Sequence, residues 1–130
     1  MTFRRSTLPL IAKATLAMGA ITVLVACGSR YQAPAIMITF STSFPPPSAL
    51  STGATAGIAA VVANDNANAG VNFSCLPAGQ CGSFNPNPIA SNVPTTYQAP
   101  PVVPPGNTVT VTATSVTDSS KFVSATITIN

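Results

Sequence analysis

Histidine, glutamate and tryptophan are absent from this sequence of 130 residues, and the only carboxylate side chains are those of Asp65 and Asp118. Without histidine there is no Ser-His-Asp or Cys-His arrangement for nucleophilic catalysis, and no histidine ligand for a metal. Hydrolysis by a pair of carboxylates would have to use Asp65 and Asp118 together. We therefore expect a protein that is not an enzyme and that holds no cofactor and no metal.

Charged residues are scarce and unevenly distributed along the chain. They make up 5% of it, and the formal net charge of +3 arises at the N-terminus, where Arg4, Arg5 and Lys13 lie without any acid. The remaining cations are balanced by the aspartates. Because no positive patch is left in the body of the chain, nucleic acid is excluded as a partner. The apolar fraction of 46% also excludes the hydrophobe-poor composition of intrinsic disorder.

The N-terminus has the parts of an export signal in the usual order. The segment 1–13, which contains the three basic residues, precedes an uncharged, largely apolar run at residues 14–26. That run is shorter than the ~20 residues that a membrane span requires, but it suits a signal peptide. It ends in Leu24-Val25-Ala26-Cys27-Gly28, which resembles the lipobox of bacterial lipoproteins. The resemblance implies cleavage before Cys27, lipid attachment to the Cys27 thiol, and a protein that contacts the membrane through this lipid anchor.

The residue after the cysteine bears on the destination. Lipoproteins retained at the inner membrane commonly have aspartate where Gly28 stands, so the resemblance implies the outer membrane or the cell surface. Three alternatives remain: an ordinary cleaved signal with a chance cysteine, a buried N-terminal helix, and a twin-arginine export signal at Arg4 and Arg5. We interpret residues 1–26 as a signal peptide, 27–34 as a lipid-anchored tether and 35–130 as the folded domain.

From Ile36 onward, apolar residues alternate with period two, and valine, isoleucine and threonine are abundant, which is typical of β-strands. Proline, glycine and asparagine separate the alternating segments. Strands are predicted at residues 35–40, 54–63, 71–75, 95–97, 107–114 and 122–129. The last two are predicted to form a hairpin. The residues expected to face inward are Val109, Val111 and Ala113 of the first strand, and Val123, Ala125, Ile127 and Ile129 of the second. The pattern predicts an all-β domain of the sandwich type.

Several motifs in this region resemble the bacterial Ig-like domains of the group 2 type, which occur in secreted and surface proteins. They are Gly53-Ala-Thr-Ala before an apolar strand, Gly70-Val-Asn-Phe-Ser, Cys81-Gly-Ser-Phe, Thr96-Tyr-x-Ala-Pro, and two threonine-rich strands near the end of the sequence. Many relatives have tryptophan where Phe73 stands. The resemblance implies an Ig-like β-sandwich of about seven strands that serves as a structural or adhesion-type binding module.

Cys75 and Cys81 form the second cysteine feature of the chain. In an exported protein this spacing favours a disulfide. Closing so small a loop should stabilise the fold by about 2 kcal/mol. Two free buried thiols, or a metal pair without further ligands, are the alternatives.

The remaining candidates for binding are two acids and two aromatic residues. The predicted loops that carry Asp65 and Asp118 share one end of the sandwich, which raises the possibility of calcium. Calcium needs about six to eight oxygens and usually several carboxylates, so a role in turn geometry is favoured. Tyr31 and Tyr97 are the candidates for an aromatic platform that binds sugar, although Tyr97 lies in a predicted strand.

These observations predict a membrane-anchored lipoprotein of the cell envelope whose Ig-like domain is a structural or binding module without catalytic activity. Its partner would be an envelope protein or a glycan, which the sequence does not identify. The alternative is an N-terminal fragment of a longer multi-domain surface protein, in which the Ig-like module is a spacer.

Overall fold

Nine β-strands and one 3-10 turn at Pro105–Asn107 form the regular structure of the described residues. The computed structural model describes Gly28 and residues 30–130, and all of the strands lie in the unit Gln32–Asn130. The strands are β1 (Met37–Phe40), β2 (Ala49–Leu50), β3 (Thr55–Ile58), β4 (Ala60–Ala63), β5 (Val71–Leu76), β6 (Ser83–Asn85), β7 (Thr95–Gln98), β8 (Thr108–Ser115) and β9 (Phe122–Ile129). The prediction of an all-β fold is confirmed. The predicted signal peptide and Cys27 lie outside the described residues.

The strands form three sheets around one hydrophobic core. A four-stranded sheet has the order β2-β9-β8-β5, a three-stranded sheet the order β3-β7-β6, and β1 and β4 form a two-stranded sheet. Neighbouring strands are antiparallel except for β2 and β9, which are parallel. Buried side chains from all three sheets contribute to the core. Among the described residues, no helix has the length and hydropathy needed to cross a membrane.

Strands β8 and β9 form the hairpin that the period-two pattern predicts. Val109, Val111 and Ala113 of β8 are fully buried, while the threonines between them lie on the other face of the sheet. Val109 pairs with Ile127 of β9, which is buried, as is Ile129. The predicted inner faces of these strands are therefore confirmed.

The strand predicted at residues 54–63 is divided into β3 and β4 at Ala59. Ile58 pairs with β7, whereas Ala60 pairs with Phe40 of β1. The Ala59 N–H donates to the carbonyl oxygen of Phe44 at 2.9 Å instead of joining either sheet. Ile58, Ala59 and Ala60 are all buried, because the chain passes through the interior as it changes sheets. The prediction of one continuous strand is wrong at this position.

Two short strands were not predicted from the sequence. Leu50 of β2 pairs with Ile129, and Phe84 of β6 pairs with Tyr97. Both strands lie in segments whose serine, proline, glycine and asparagine content is typical of loops. Their extended conformation depends on longer neighbours already held in the sheets.

The outer edge of β5 is covered by the chain that follows β6. Val71 and Ile89 exchange backbone hydrogen bonds of 2.7 and 2.9 Å. The side chain of Asn87 then replaces a strand, since its Oδ1 accepts from the Phe73 N–H at 2.8 Å and its Nδ2 donates to the Phe73 carbonyl oxygen at 2.7 Å. An uncovered edge strand presents unpaired backbone groups to other chains. Asn87 therefore completes the edge of β5.

We expect Asn87→Ala to lower the free energy of unfolding by about 1–3 kcal/mol, because both backbone groups of Phe73 lose their partner at a partly buried position. Chemical denaturation followed by circular dichroism measures the loss. Asn66→Ala, at an exposed loop asparagine, is the matched control and should stay within about 0.5 kcal/mol of the wild type. Equal losses in the two variants would contradict the role assigned to Asn87.

Candidate functional site

The disulfide between Cys75 and Cys81 closes a short loop at the end of β5. The sulfur atoms are 1.99 Å apart, and Cys81 is buried. The structure therefore contains the disulfide that the predicted export and the spacing of the two cysteines favour, in place of free thiols or a metal pair. The tip of the loop, at Gly79 and Gln80, is exposed to solvent.

The disulfide loop is attached to β7 by a buried hydrogen bond and a close backbone contact. The Tyr97 hydroxyl donates to the carbonyl oxygen of Cys81 at 2.6 Å. Next to it, Gly82 adopts a φ of +94°, and a Cβ at this position would overlap the carbonyl oxygen of Gln98. Only glycine permits both the conformation and the approach. The loop is thus held against the sheet at its second cysteine and at the residue that follows.

The ring of Tyr97 belongs to a group of three packed aromatic side chains, Phe73, Phe84 and Tyr97. The ring centroids of Phe73 and Phe84 are 5.4 Å apart, and those of Phe84 and Tyr97 are 5.0 Å apart. Tyr97 is fully buried, so its suggested role as a sugar platform is wrong; Tyr31, in contrast, is exposed. Burial also raises the pKa of Tyr97 above the ordinary value of 10.0. The Tyr97 hydroxyl is consequently a neutral hydrogen-bond donor at physiological pH.

A groove of about 650 Å³ lies between the disulfide loop and the proline-rich segment at residues 99–104. Its lining includes Gln80 and Ser83 from the disulfide loop and the strand after it, Gln98 at the end of β7, and Val102 and Val103 of the proline-rich segment. Val102 is 73% exposed. The volume falls within the range of small-ligand sites, roughly 300–1,000 Å³.

The chemistry of this groove suits a neutral ligand. None of its lining residues, all of which lie in the described part of the chain, carries an ionisable side chain. Glutamine amides and the Ser83 hydroxyl offer hydrogen bonds, and the valines and prolines offer apolar surface. Ser83 has no base beside it in this lining, so the arrangement can bind a ligand but cannot activate a nucleophile.

The two carboxylates organise loops at another part of the domain. Asp65 accepts hydrogen bonds from the Ala67 and Ala69 N–H groups at 3.1 and 3.2 Å, and from the Thr117 hydroxyl at 2.8 Å. The last of these bonds joins the loop after β4 to the loop after β8, as the predicted shared end requires. These contacts are those of turn geometry.

Asp118 is bound within its own turn. The Ser120 hydroxyl and N–H donate to its Oδ1 at 2.7 and 3.0 Å. These hydrogen bonds lower the pKa of the Asp118 carboxyl, and the bond from the Ser120 side chain has the largest effect. Within the described residues, no group of three or more His, Cys, Asp or Glu side chains is arranged to hold a metal ion.

Sequence reasoning did not identify the groove. Prolines 100, 101 and 104 lie between two predicted strands, where proline is expected to separate them, and Gln80 and Gln98 have no distinguishing pattern. The available signal was the combination of a disulfide loop with an apolar proline-rich segment. The pairing of β6 with β7 helps to bring the two together, because Ser83 lies opposite Gln98.

Comparisons with known proteins found no matching family model, no matching curated protein and no matching solved structure. The functional interpretation therefore depends on the sequence and on the geometry of the described residues.

We expect Tyr97→Phe to lower the free energy of unfolding by about 1–3 kcal/mol, because the Cys81 carbonyl loses its buried donor while the aromatic ring remains. Thermal and chemical denaturation measure the change. Tyr31→Phe, at a residue that is 92% exposed, is the matched control and should be nearly neutral. A neutral Tyr97→Phe would show that this hydrogen bond does not hold the loop.

The raised pKa of Tyr97 predicts a stability loss at alkaline pH. The folded state favours the neutral phenol, so the unfolded chain releases this proton at lower pH. Stability is therefore retained below pH 10 and falls as the pH rises through the raised folded pKa. Denaturation midpoints at about pH 8 and about pH 11 should differ more for the wild type than for Tyr97→Phe. The same difference in both proteins would contradict this assignment.

The double variant Cys75→Ala/Cys81→Ala should lose about 2 kcal/mol of stability, because the unfolded chain gains conformational freedom when the loop is open. Unfolding curves of the variant, and of the wild type before and after reduction, measure this loss. Reduction should affect the wild type alone. Recovery of two alkylatable thiols from the native, unreduced protein would contradict the disulfide.

Proposed function

We propose that this protein is a lipoprotein of the bacterial cell envelope with three parts: a signal peptide at residues 1–26, a lipid anchor at Cys27, and an Ig-like domain that acts as a non-catalytic structural or binding module. The observation that carries the proposal is the sequence order of basic region, apolar run and lipobox cysteine. The compact unit begins at Gln32, a few residues after that cysteine.

The order of the strands supports the Ig-like assignment. An Ig sandwich has strands A, B, E and D in one sheet and C, F and G in the other. Here β1 pairs with β4, and β3, which precedes β4 along the chain, pairs with β7, which in turn pairs with β6. This order agrees with A-B-E-D if β1 is strand A, β3 and β4 together are strand B, β7 is strand E and β6 is strand D. The order β5-β8-β9 agrees with C-F-G. The short β2, parallel to β9, adds a strand at the edge of the second sheet.

The disulfide supports export to an oxidising compartment. Disulfides persist in exported proteins and are rare where thiols are kept reduced. Cys75 and Cys81 lie at the end of β5 and in the loop after it, so the bond differs from the inter-sheet disulfide of antibody domains. Its effect is local, since it shapes one side of the groove.

The path of the chain supports a binding role away from the anchor. The Ala35 carbonyl oxygen accepts a hydrogen bond from the Asn64 side chain at 2.9 Å, so the chain enters the domain beside the end of β4. Gly53, which lines the groove, precedes β3. Because β3 begins beside the groove and β4 ends beside Asn64, the groove and the chain entry lie at opposite ends of this pair of strands. The groove thus lies away from Ala35, where the chain that follows the proposed anchor enters the domain.

We expect Cys27→Ser to abolish lipid attachment, because the serine hydroxyl does not replace the thiol that receives the lipid. The variant should leave the membrane fraction or accumulate with its signal peptide uncleaved. Detergent phase partitioning and intact mass of the purified protein measure both effects. Cys75→Ala/Cys81→Ala is the matched control and should remain lipidated. A mature wild-type protein without acyl chains would end the lipoprotein proposal.

A further inference from the structure

The outer face of β8 is a row of hydroxyl groups. Alternate residues of a strand point to opposite faces, so Val109 and its inward neighbours direct the residues between them outward. These outward residues are Thr108, Thr110, Thr112 and Thr114. Because threonine is β-branched, its side chain has few rotamers and presents its hydroxyl in a restricted set of directions.

The neighbouring strands extend this row into a grid. Thr112 lies opposite Ser124 of β9 on one side and opposite Ser74 of β5 on the other. Thr126 and Thr128 of β9 continue the pattern beside Thr110 and Thr108. Adjacent strands lie about 4.8 Å apart, and successive outward residues of one strand about 6.7 Å apart. We call these outward Ser and Thr residues of β5, β8 and β9 the hydroxyl face.

The hydroxyl face carries no charged side chain, although outward positions of a sheet are where charges are usually placed. Ordinary soluble domains have about 25% charged residues, against 5% in this chain. Two large apolar side chains border the face, Leu76 at the end of β5 and Phe122 at the start of β9, each 62% exposed. The surface thus combines neutral hydrogen-bonding groups with exposed apolar contacts.

Most of these hydroxyls are available to a ligand. Each serine or threonine hydroxyl has one donor and two acceptor positions. Among the side-chain hydrogen bonds of the described residues, one joins two members of the face, Thr112 and Ser124 at 2.8 Å. A partner that offers only apolar groups would bury the others without compensation, which is costly. The face therefore fits a partner that itself carries many neutral donors and acceptors.

We propose that the hydroxyl face binds a neutral polysaccharide that lies along β8. Sugar hydroxyls meet the threonine row of β8 and the hydroxyls of β5 and β9 on either side, and Phe122 offers an aromatic ring to the apolar face of a sugar. An anionic polymer would form no ion pair with this face, because the face has no cationic side chain. The assignment gives a ligand class to the binding module proposed above and rests on that role; it does not depend on the lipid anchor or on the groove.

Co-sedimentation of the detergent-solubilised full chain with powdered chitin and powdered cellulose tests this proposal. The double variant Thr112→Val/Thr126→Val removes two hydroxyls and retains the branched shape and strand propensity. We expect the wild type to bind at least one of the two polymers, and the double variant to bind about tenfold more weakly. Thr96→Val is the matched control, at an exposed position of β7 in another sheet, and should bind as the wild type does.

The proposal would be overturned by no binding of the wild type to either polymer, by equal weakening in Thr96→Val, or by stronger binding to anionic alginate than to the neutral polymers. Val102→Asp in the groove should leave binding unchanged, and a loss there would assign the ligand to the groove instead. Unfolding midpoints of each variant establish that the fold is retained. Intact mass tests lipidation separately, so a protein without acyl chains that still binds would disprove the anchor and retain this assignment.

Discussion

Strand β8 pairs with β5 on one side and β9 on the other, and its period-two pattern decides what each face of the four-stranded sheet presents. Val109, Val111 and Ala113 enter the core, and the threonines between them lie outside. A slip of one residue in the pairing with β9 would exchange the two sets, exposing valines and burying hydroxyls without partners. The cost of that exchange holds the register. One constraint therefore stabilises the core and produces the hydroxyl face.

Neutral hydrogen bonds, more than ion pairs, satisfy the polar groups of this domain. Asn87 completes the edge of β5, and the Tyr97 hydroxyl connects the disulfide loop to the core. Among the described residues, no buried side-chain nitrogen or oxygen lacks a partner. Since salt screens interactions between exposed charges, and this domain has few of them, its stability should depend little on ionic strength. Its surfaces are correspondingly suited to recognition by shape and hydrogen bonding.

Local patterns were sufficient to predict much of this architecture. The alternation in β5, β8 and β9 predicts these strands and their inner faces, because the side-chain period of a strand is a property of neighbouring residues. The spacing of Cys75 and Cys81 predicts the disulfide, since the few residues between them limit how far apart the two side chains can lie. The export pattern that ends at Cys27 is also local, although it belongs to residues outside the described structure.

The sequence by itself therefore determined the period of the strands and the neutral outer surface, and it favoured the disulfide between Cys75 and Cys81 that the structure contains. Only the tertiary structure decided which strands become neighbours. The period-two alternation continues from Ile58 to Ala60 without a local break. The segment 54–63 is nevertheless divided at Ala59, because β3 pairs with β7 and β4 pairs with β1. The burial of Tyr97, the position of Asn87 on β5 and the groove likewise depend on segments distant along the chain. Such contacts follow from packing around a shared core, which no local pattern encodes.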